Sequence, residues 1–104
     1  MNIKRQQDLQ TYDDNQMNKQ VVFTEEKSRA IAFNFLPGQI MPTHGHPQKN
    51  AYMSVMEGTG VCYLDDNPSP IQQGDMIHCD PHQTISVKNT GTDAMTVYVV
   101  LAEE

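Results

Sequence analysis

The sequence predicts an all-β fold, arranged as an antiparallel sandwich or barrel. From residue 20 onward, short apolar or alternating runs recur about every 8–12 residues, which is the spacing typical of such folds. Clusters of Gly, Pro, Asn, Asp and Thr separate these runs, and such clusters favour turns. Residues 20–104 show no helical period. A chain of 104 residues has the length of one domain, so we expect a single β domain.

The elements follow in order along the chain. Residues 1–19 are polar and form a predicted N-terminal arm, whose few apolar anchors cannot build a core of their own. We expect this arm to pack on the domain, which spans residues 20–104, or on a partner. The runs that predict strands lie at residues 21–23, 28–36, 52–57, 61–64, 76–79, 84–87 and 95–101. Predicted turns lie between them, at residues 37–38, 58–60, 65–68, 73–75, 80–82 and 89–92.

Charge and composition exclude several classes of partner. The net charge is −6, from 7 basic and 13 acidic residues, so no basic stripe is available to neutralise nucleic-acid phosphates or an anionic membrane. No apolar run approaches the length of a membrane span, and the first residues lack the apolar centre of a signal peptide. We therefore expect a cytoplasmic protein, in which Cys62 and Cys79 are free thiols.

Two histidines separated by one residue mark the first candidate site. His44 and His46 stand just upstream of a predicted strand, in a stretch that begins at Gly38. In extended chain, residues i and i+2 point to the same face, so the two imidazoles can converge. Imidazole is the commonest side-chain ligand for first-row divalent metals. The pair predicts a metal site, and the alternative is a polar pocket or a solvent-exposed loop.

This stretch resembles the first motif of the cupin family, which has the form G-x(5)-H-x-H-x(3,4)-E-x(6)-G. Gly38, His44, His46 and Gly58 match that motif in register, and Ala51 stands at the position of the family's glutamate. The resemblance covers roughly residues 20–102.

The second cupin motif, G-x(5)-P-x-G-x(2)-H-x(3)-N, is matched in part. Gly74 and Asn89 stand at its two ends with the right separation. Asp80 takes the place of the proline, His82 that of the glycine, and Ile85 that of the metal-binding histidine. The two ends of the motif are therefore present, but Ile85 replaces its metal-binding histidine.

The resemblance implies a small antiparallel jelly-roll β-barrel. Cupins commonly hold one divalent ion with three histidines and one glutamate. They include dioxygenases, isomerases, epimerases, decarboxylases, storage proteins and ligand-sensing modules, so the fold does not choose the function. With two of the four usual ligands present, we predict an optional, weakly held divalent ion (Zn, Ni, Fe or Mn) at His44 and His46. The candidate third donors are Gln48, Asn50, His78 and His82.

Two functional hypotheses follow from this resemblance. The first is a protein that binds a small molecule inside the barrel, with Met53, His82 and Ile85 as predicted ligand-binding residues. By alternation Met53 shares the face of Ala51, and His82 lies in a turn that can frame the barrel rim. The alternative is a metal-dependent cupin enzyme, such as a small dioxygenase or isomerase. Core filling by Met53 and a plainly exposed turn at His82 are the structural alternatives.

The third expectation concerns assembly. Cupins of this size are commonly homodimers, which pair sheet edges or exchange an N-terminal strand. Residues 21–23 follow an arm that has no core of its own, so they are a plausible edge or exchanged segment. We therefore predict a homodimer.

Overall fold

The computed structural model describes residues 2–104 and confirms the predicted all-β fold. The strands form two antiparallel sheets, a five-stranded sheet in the order β1-β2-β9-β4-β7 and a four-stranded sheet in the order β3-β8-β5-β6. This is the jelly-roll arrangement. The elements are the short helix α1 (Gln6–Leu9) and the strands β1 (Asn18–Thr24), β2 (Ser28–Phe35), β3 (Ile40–Gly45), β4 (Lys49–Glu57), β5 (Thr59–Leu64), β6 (Asn67–Gln72), β7 (Met76–Cys79), β8 (Thr84–Lys88) and β9 (Met95–Glu103).

One hydrophobic core lies between the sheets, and both sheets contribute to it. Strand β4 shows the predicted alternation, because Ala51, Met53 and Val55 are buried whereas Tyr52 is exposed. Its neighbour β9 carries Val97, Val99 and Leu101 into the same core. Burial of one such side chain stabilises the fold by about 1.5–3 kcal/mol. The alternation of apolar side chains along each strand, which points every second residue into the core, therefore contributes much of the stability of the fold.

Two strands were not predicted, β3 and β6. Both contain proline, at Pro42 in β3 and at Pro68 and Pro70 in β6. Proline lacks the backbone N–H that a ladder needs, and a sequence with proline inside it does not read as a strand. Both strands lie at the edges of the four-stranded sheet, where one side of the backbone needs no partner. His44 therefore lies inside strand β3, and both histidines precede β4 as predicted.

The N-terminal arm is fastened to the five-stranded sheet. Leu9 is buried, and its carbonyl accepts a 2.6 Å hydrogen bond from Nδ2 of the buried Asn34. Asn34 Oδ1 accepts a second bond, of 2.8 Å, from Thr96 Oγ1. Strand β1 begins at Asn18, inside the predicted arm. Within residues 2–104, no helix has the length and apolarity needed to cross a bilayer.

The two cysteines are free, as predicted, and both are buried. Burial raises the pKa of the Cys62 thiol to about 11, and the neighbouring Cys79 adds to the shift. Burial is also the main reason that the pKa of Cys79 is raised, with Asp80 and Asp65 contributing less. Since the thiolate is the reactive form, both side chains are held in their unreactive state.

Native protein should therefore react slowly with thiol reagents. A rise in the pKa of Cys62 from 9.0 to about 11 lowers its thiolate fraction roughly a hundredfold at pH 8. Reaction with 5,5′-dithiobis(2-nitrobenzoate) should release little thionitrobenzoate until urea unfolds the chain, after which two thiols should react. Rapid labelling of Cys62 in the absence of denaturant would contradict this.

Candidate functional site

A cavity of about 410 Å³ is the candidate site, and it contains both histidines of the first motif. Most of its apolar residues are buried and form its floor, whereas Lys19 is exposed and Arg29 and Lys49 are half-buried, which places these cations towards its rim. The floor residues include Ile31, Phe33, Met41, Ala51, Met53, Ile85, Val99 and Leu101, and the polar residues of the lining are Lys19, Arg29, His44, His46 and Lys49. Met17 and Pro42 complete it.

The histidine pair converges as the spacing predicts. The centroids of the His44 and His46 rings are 4.6 Å apart, and the ring planes are nearly perpendicular, at 80°. His44 Nδ1 lies 2.7 Å from the carbonyl oxygen of Pro42, so Nδ1 donates a proton there, and in the neutral form of the ring Nε2 carries the lone pair. His46 Nδ1 is buried and has no hydrogen-bond partner. The pair thus presents unused nitrogen atoms.

His46 is held in its neutral form. Burial is the largest cause of its lowered pKa, and the charges of His44, Lys49 and Lys19 add to the shift. A histidine whose pKa lies below its ordinary value of 6.5 is mostly uncharged at neutral pH. Lys19, Arg29 and Lys49 therefore carry the permanent positive charge of the lining.

The two degenerate motif positions face the same cavity. Ile85 of β8 is the direct cross-strand partner of His44, and Ala51 lies on the inner face of β4. Both side chains are buried, with only 2% of Ile85 and 3% of Ala51 exposed. At the positions where cupins carry a histidine and a glutamate, this chain therefore has Ile85 and Ala51, which form part of the apolar lining of the cavity.

None of the four candidate third donors lines the cavity. Asn50 Oδ1 contacts His78 Nε2 at 2.8 Å, and the His78 ring stacks on Tyr52 with the centroids 5.1 Å apart. Tyr52 is exposed and alternates with the inward-facing residues of β4, so this cluster lies on the outside of the sheet. Gln48 lies in an exposed turn with a φ of 67°.

His82, which was predicted as a ligand-binding residue, also lies outside the cavity. Its turn between β7 and β8 is closed by the His82 backbone N–H, which donates to Asp80 Oδ1 at 2.8 Å, and its side chain is exposed. Met53 and Ile85, by contrast, both line the cavity.

The described residues do not fit the four-ligand metal site of the family. No group of three or more His, Cys, Asp or Glu residues in the range 2–104 is placed to hold a metal ion. A divalent ion at His44 and His46 would meet two imidazoles and no carboxylate, with most of its shell left to water. Such an incomplete donor set binds weakly.

Three site residues escaped the sequence analysis, namely Lys19, Arg29 and Lys49. Two of them follow from strand alternation once it is extended to the strand ends. Lys49 precedes Ala51 by two residues on the inner face of β4, and Arg29 precedes Ile31 by two on the inner face of β2. Alternation could therefore have identified Lys49 from the sequence. The strand predicted near Ala51 began at residue 52, however, and so did not include Lys49.

Comparisons with known proteins agree with this architecture. TT1209 from Thermus thermophilus is similar with a TM-score of 0.93 and 24% identity, over 99% of this chain and 98% of that one. A conserved protein with a double-stranded β-helix domain from Klebsiella pneumoniae has a TM-score of 0.92 and 20% identity, over 97% of this chain and 89% of that one. A predicted oxalate decarboxylase from Thermotoga maritima has a TM-score of 0.81 and 22% identity, over 85% of this chain and 81% of that one.

Sequence comparison places the chain in one family. No curated protein matches it. The model of the cupin domain, however, matches residues 32–101, which is more than half of the chain and includes both motif frames. The chain therefore belongs to the cupin family.

Proposed function

We propose that this cupin binds a small molecule in the cavity between its sheets. The observation that carries the proposal is the cavity itself, because about 410 Å³ of mostly apolar space with a few convergent polar groups is typical of a ligand pocket. Met53 and Ile85 form part of the proposed contact surface for the apolar portion of the ligand. His44 and His46 supply polar contacts at its edge.

Methionine methyl groups make the proposal testable without any substitution. Met17, Met41 and Met53 line the cavity, whereas Met76 is exposed and Met95 is buried without lining it. In protein labelled with [methyl-13C]methionine, octanoate or its neutral analogue octanamide should shift the three cavity methyl signals and leave Met76 and Met95 unchanged. If neither probe moves the cavity signals, the proposal is wrong.

A divalent ion held by His44 and His46 is a secondary and weaker part of the proposal. Zn²⁺ and Ni²⁺ suit imidazole better than Mn²⁺ does, and Fe²⁺ lies between them. Lys19, Arg29 and Lys49 line the same cavity and would repel a cation. We therefore propose that any such ion is optional and does not determine the ligand.

Thermal unfolding with added Zn²⁺ tests that weaker site. An ion bound only by the folded chain stabilises it by mass action, so millimolar Zn²⁺ should raise the melting temperature by a few degrees. His44→Ala should remove that rise. His78→Ala is the matched control, because its ring stacks on Tyr52 at the outer face and should leave the rise intact. Loss of the rise in both variants would contradict an ion at the pair.

A metal-dependent enzyme is the second candidate function. It is favoured by the convergence of His44 and His46 and by the structural likeness to a predicted oxalate decarboxylase. Elemental analysis of protein purified without a His tag discriminates between the two candidates. A stoichiometric transition metal would favour the enzyme, and metal-free protein that still binds the probes would favour the binding protein.

Homodimer formation and a cytoplasmic location stay predictions. Strand β1 is an edge of the five-stranded sheet, and its Val21 and Phe23 are 43% and 39% exposed. An edge with exposed apolar side chains is suited to pairing with a second copy. Sedimentation velocity should show a dimer at micromolar concentration, and Val21→Lys combined with Phe23→Lys should give a monomer. A monomeric parent protein would contradict the prediction.

A further inference from the structure

We propose that the ligand of this cavity is a small carboxylate with an apolar body, whose charged group lies at the cationic rim. This inference rests on the proposed function and names the chemical class of the ligand. Lys19, Arg29 and Lys49 are the residues that would recognise the carboxylate.

The distribution of charge is the first observation that supports this. The chain has a net charge of −6 and 7 lysine and arginine residues in all. Three of those 7 line this one cavity, and no aspartate or glutamate among the described residues does. A cleft lined by one sign of charge attracts ligands of the opposite sign. On an otherwise acidic protein, the cavity is therefore suited to an anion.

Strand pairing explains why the cations meet. Arg29 of β2 pairs with Leu101 of β9, and Leu101 pairs in turn with Ala51 of β4. These three residues form one row across the inner face, and the short side chain of Ala51 leaves space in it. Lys49 lies two residues before Ala51 on the same face of β4. The space at the family's glutamate position is thus flanked by two cations.

Unpartnered polar atoms at the rim are the second observation. Arg29 Nε and His46 Nδ1 are buried and have no hydrogen-bond partner within the protein. A buried donor without an acceptor costs about 1–3 kcal/mol, and native proteins rarely tolerate it. A carboxylate would supply the acceptor that Arg29 Nε lacks. The planar guanidinium also matches a carboxylate through two parallel hydrogen bonds.

The buried floor defines the rest of the ligand. Ile31, Phe33, Met53 and Val99 are each at most 7% exposed and line the cavity beneath the rim. Burial of apolar ligand surface against them is favourable by roughly 25 cal/mol per Å². A bare anion such as acetate would leave this surface unused. The arrangement therefore favours a carboxylate that carries several carbon atoms.

A neighbouring groove supplies the control. Glu25, Glu26 and Glu103 line an adjoining groove of about 40 Å³, which also contains Lys27 and shares Arg29 and Lys49 with the cavity. Lys27 lines the groove but not the cavity. Removal of its charge therefore changes the net charge as much as removal of that of Arg29, without touching the proposed site.

Calorimetric titration with octanoate, octanamide and acetate tests the inference, and the methionine methyl signals verify the place of binding. Octanoate should bind at least tenfold more tightly than either octanamide or acetate. Arg29→Gln should weaken octanoate at least tenfold and leave octanamide unchanged, whereas Lys27→Gln should change neither. If Arg29→Gln does not fold, Lys49→Gln should show the same selective loss.

The outcomes separate the two proposals. Equal affinity for octanoate and octanamide would overturn the carboxylate inference while leaving a small-molecule cavity in place. Equal affinity for octanoate and acetate would overturn the inference that the ligand has an apolar body. If no probe shifts the signals of Met17, Met41 and Met53, the proposed function falls and the inference falls with it.

Discussion

Ala51→Glu combined with Ile85→His should convert a weak two-histidine pair into a tight Zn²⁺ site. Ile85 is the cross-strand partner of His44, and Ala51 lines the cavity that contains both histidines. The double variant would carry three imidazoles and one carboxylate, the donor set that the cupin resemblance implies. Zn²⁺ takes four such ligands in a tetrahedral arrangement.

The expected effect is large and can be measured in two ways. Calorimetric titration should show Zn²⁺ affinity at least a hundredfold above that of the parent protein. At a free Zn²⁺ concentration of 100 times the Kd, mass action adds about 2.7 kcal/mol to the free energy of unfolding. For a domain of about 100 residues, each kcal/mol raises the melting temperature by roughly 4–8 °C.

The matched control moves the carboxylate to the other face of β4. Tyr52→Glu combined with Ile85→His introduces the same side chains, but Tyr52 is exposed on the outside of the sheet. This variant should bind Zn²⁺ far more weakly than the rebuilt site. If Ala51→Glu with Ile85→His folds and still binds no better than this control, position 51 does not face the histidine pair; if it binds no better than the parent protein, neither position faces the pair as the register indicates.

Asn89→Ala should lower the free energy of unfolding by about 3 kcal/mol, which is a large part of the roughly 5–15 kcal/mol typical of a domain. Asn89 is fully buried at the end of the second motif frame. Its Nδ2 donates to the carbonyls of Phe35 at 3.0 Å and Asp93 at 2.9 Å. Its Oδ1 accepts from Gly91 N at 3.0 Å. Alanine would leave two carbonyls and one N–H without these partners.

Urea denaturation followed by far-ultraviolet circular dichroism measures this loss. The midpoint should fall without a change in slope, since the fold and the surface exposed on unfolding stay the same. Asn67→Ala is the control, because Asn67 is exposed in edge strand β6 and its loss should change the free energy by no more than about 0.5 kcal/mol. Equal midpoints for the two variants would show that the three hydrogen bonds of Asn89 do not stabilise the fold.

Local patterns of the sequence determined the fold class, most of the strands and the convergence of the histidine pair. Residues 76–79 were predicted as a strand and are β7, and the alternation of Ala51 and Met53 on β4 is confirmed. His44 and His46 meet because a separation of two residues places side chains on one face of extended chain. Each of these features depends on residues close together in sequence, so their pattern is sufficient.

Only the tertiary structure decided which distant residues share the site. His78 was a candidate donor, but its strand position pairs it with Tyr52, and cross-strand partners point to the same face, here the outer one. Lys19, Arg29 and Lys49 lie far apart in sequence and meet in one cavity because β1, β2 and β4 contribute to the same sheet. Strands β3 and β6 could accept prolines only because they lie at sheet edges. Which strands lie side by side in a sheet depends on the strand order, and local sequence patterns do not specify that order.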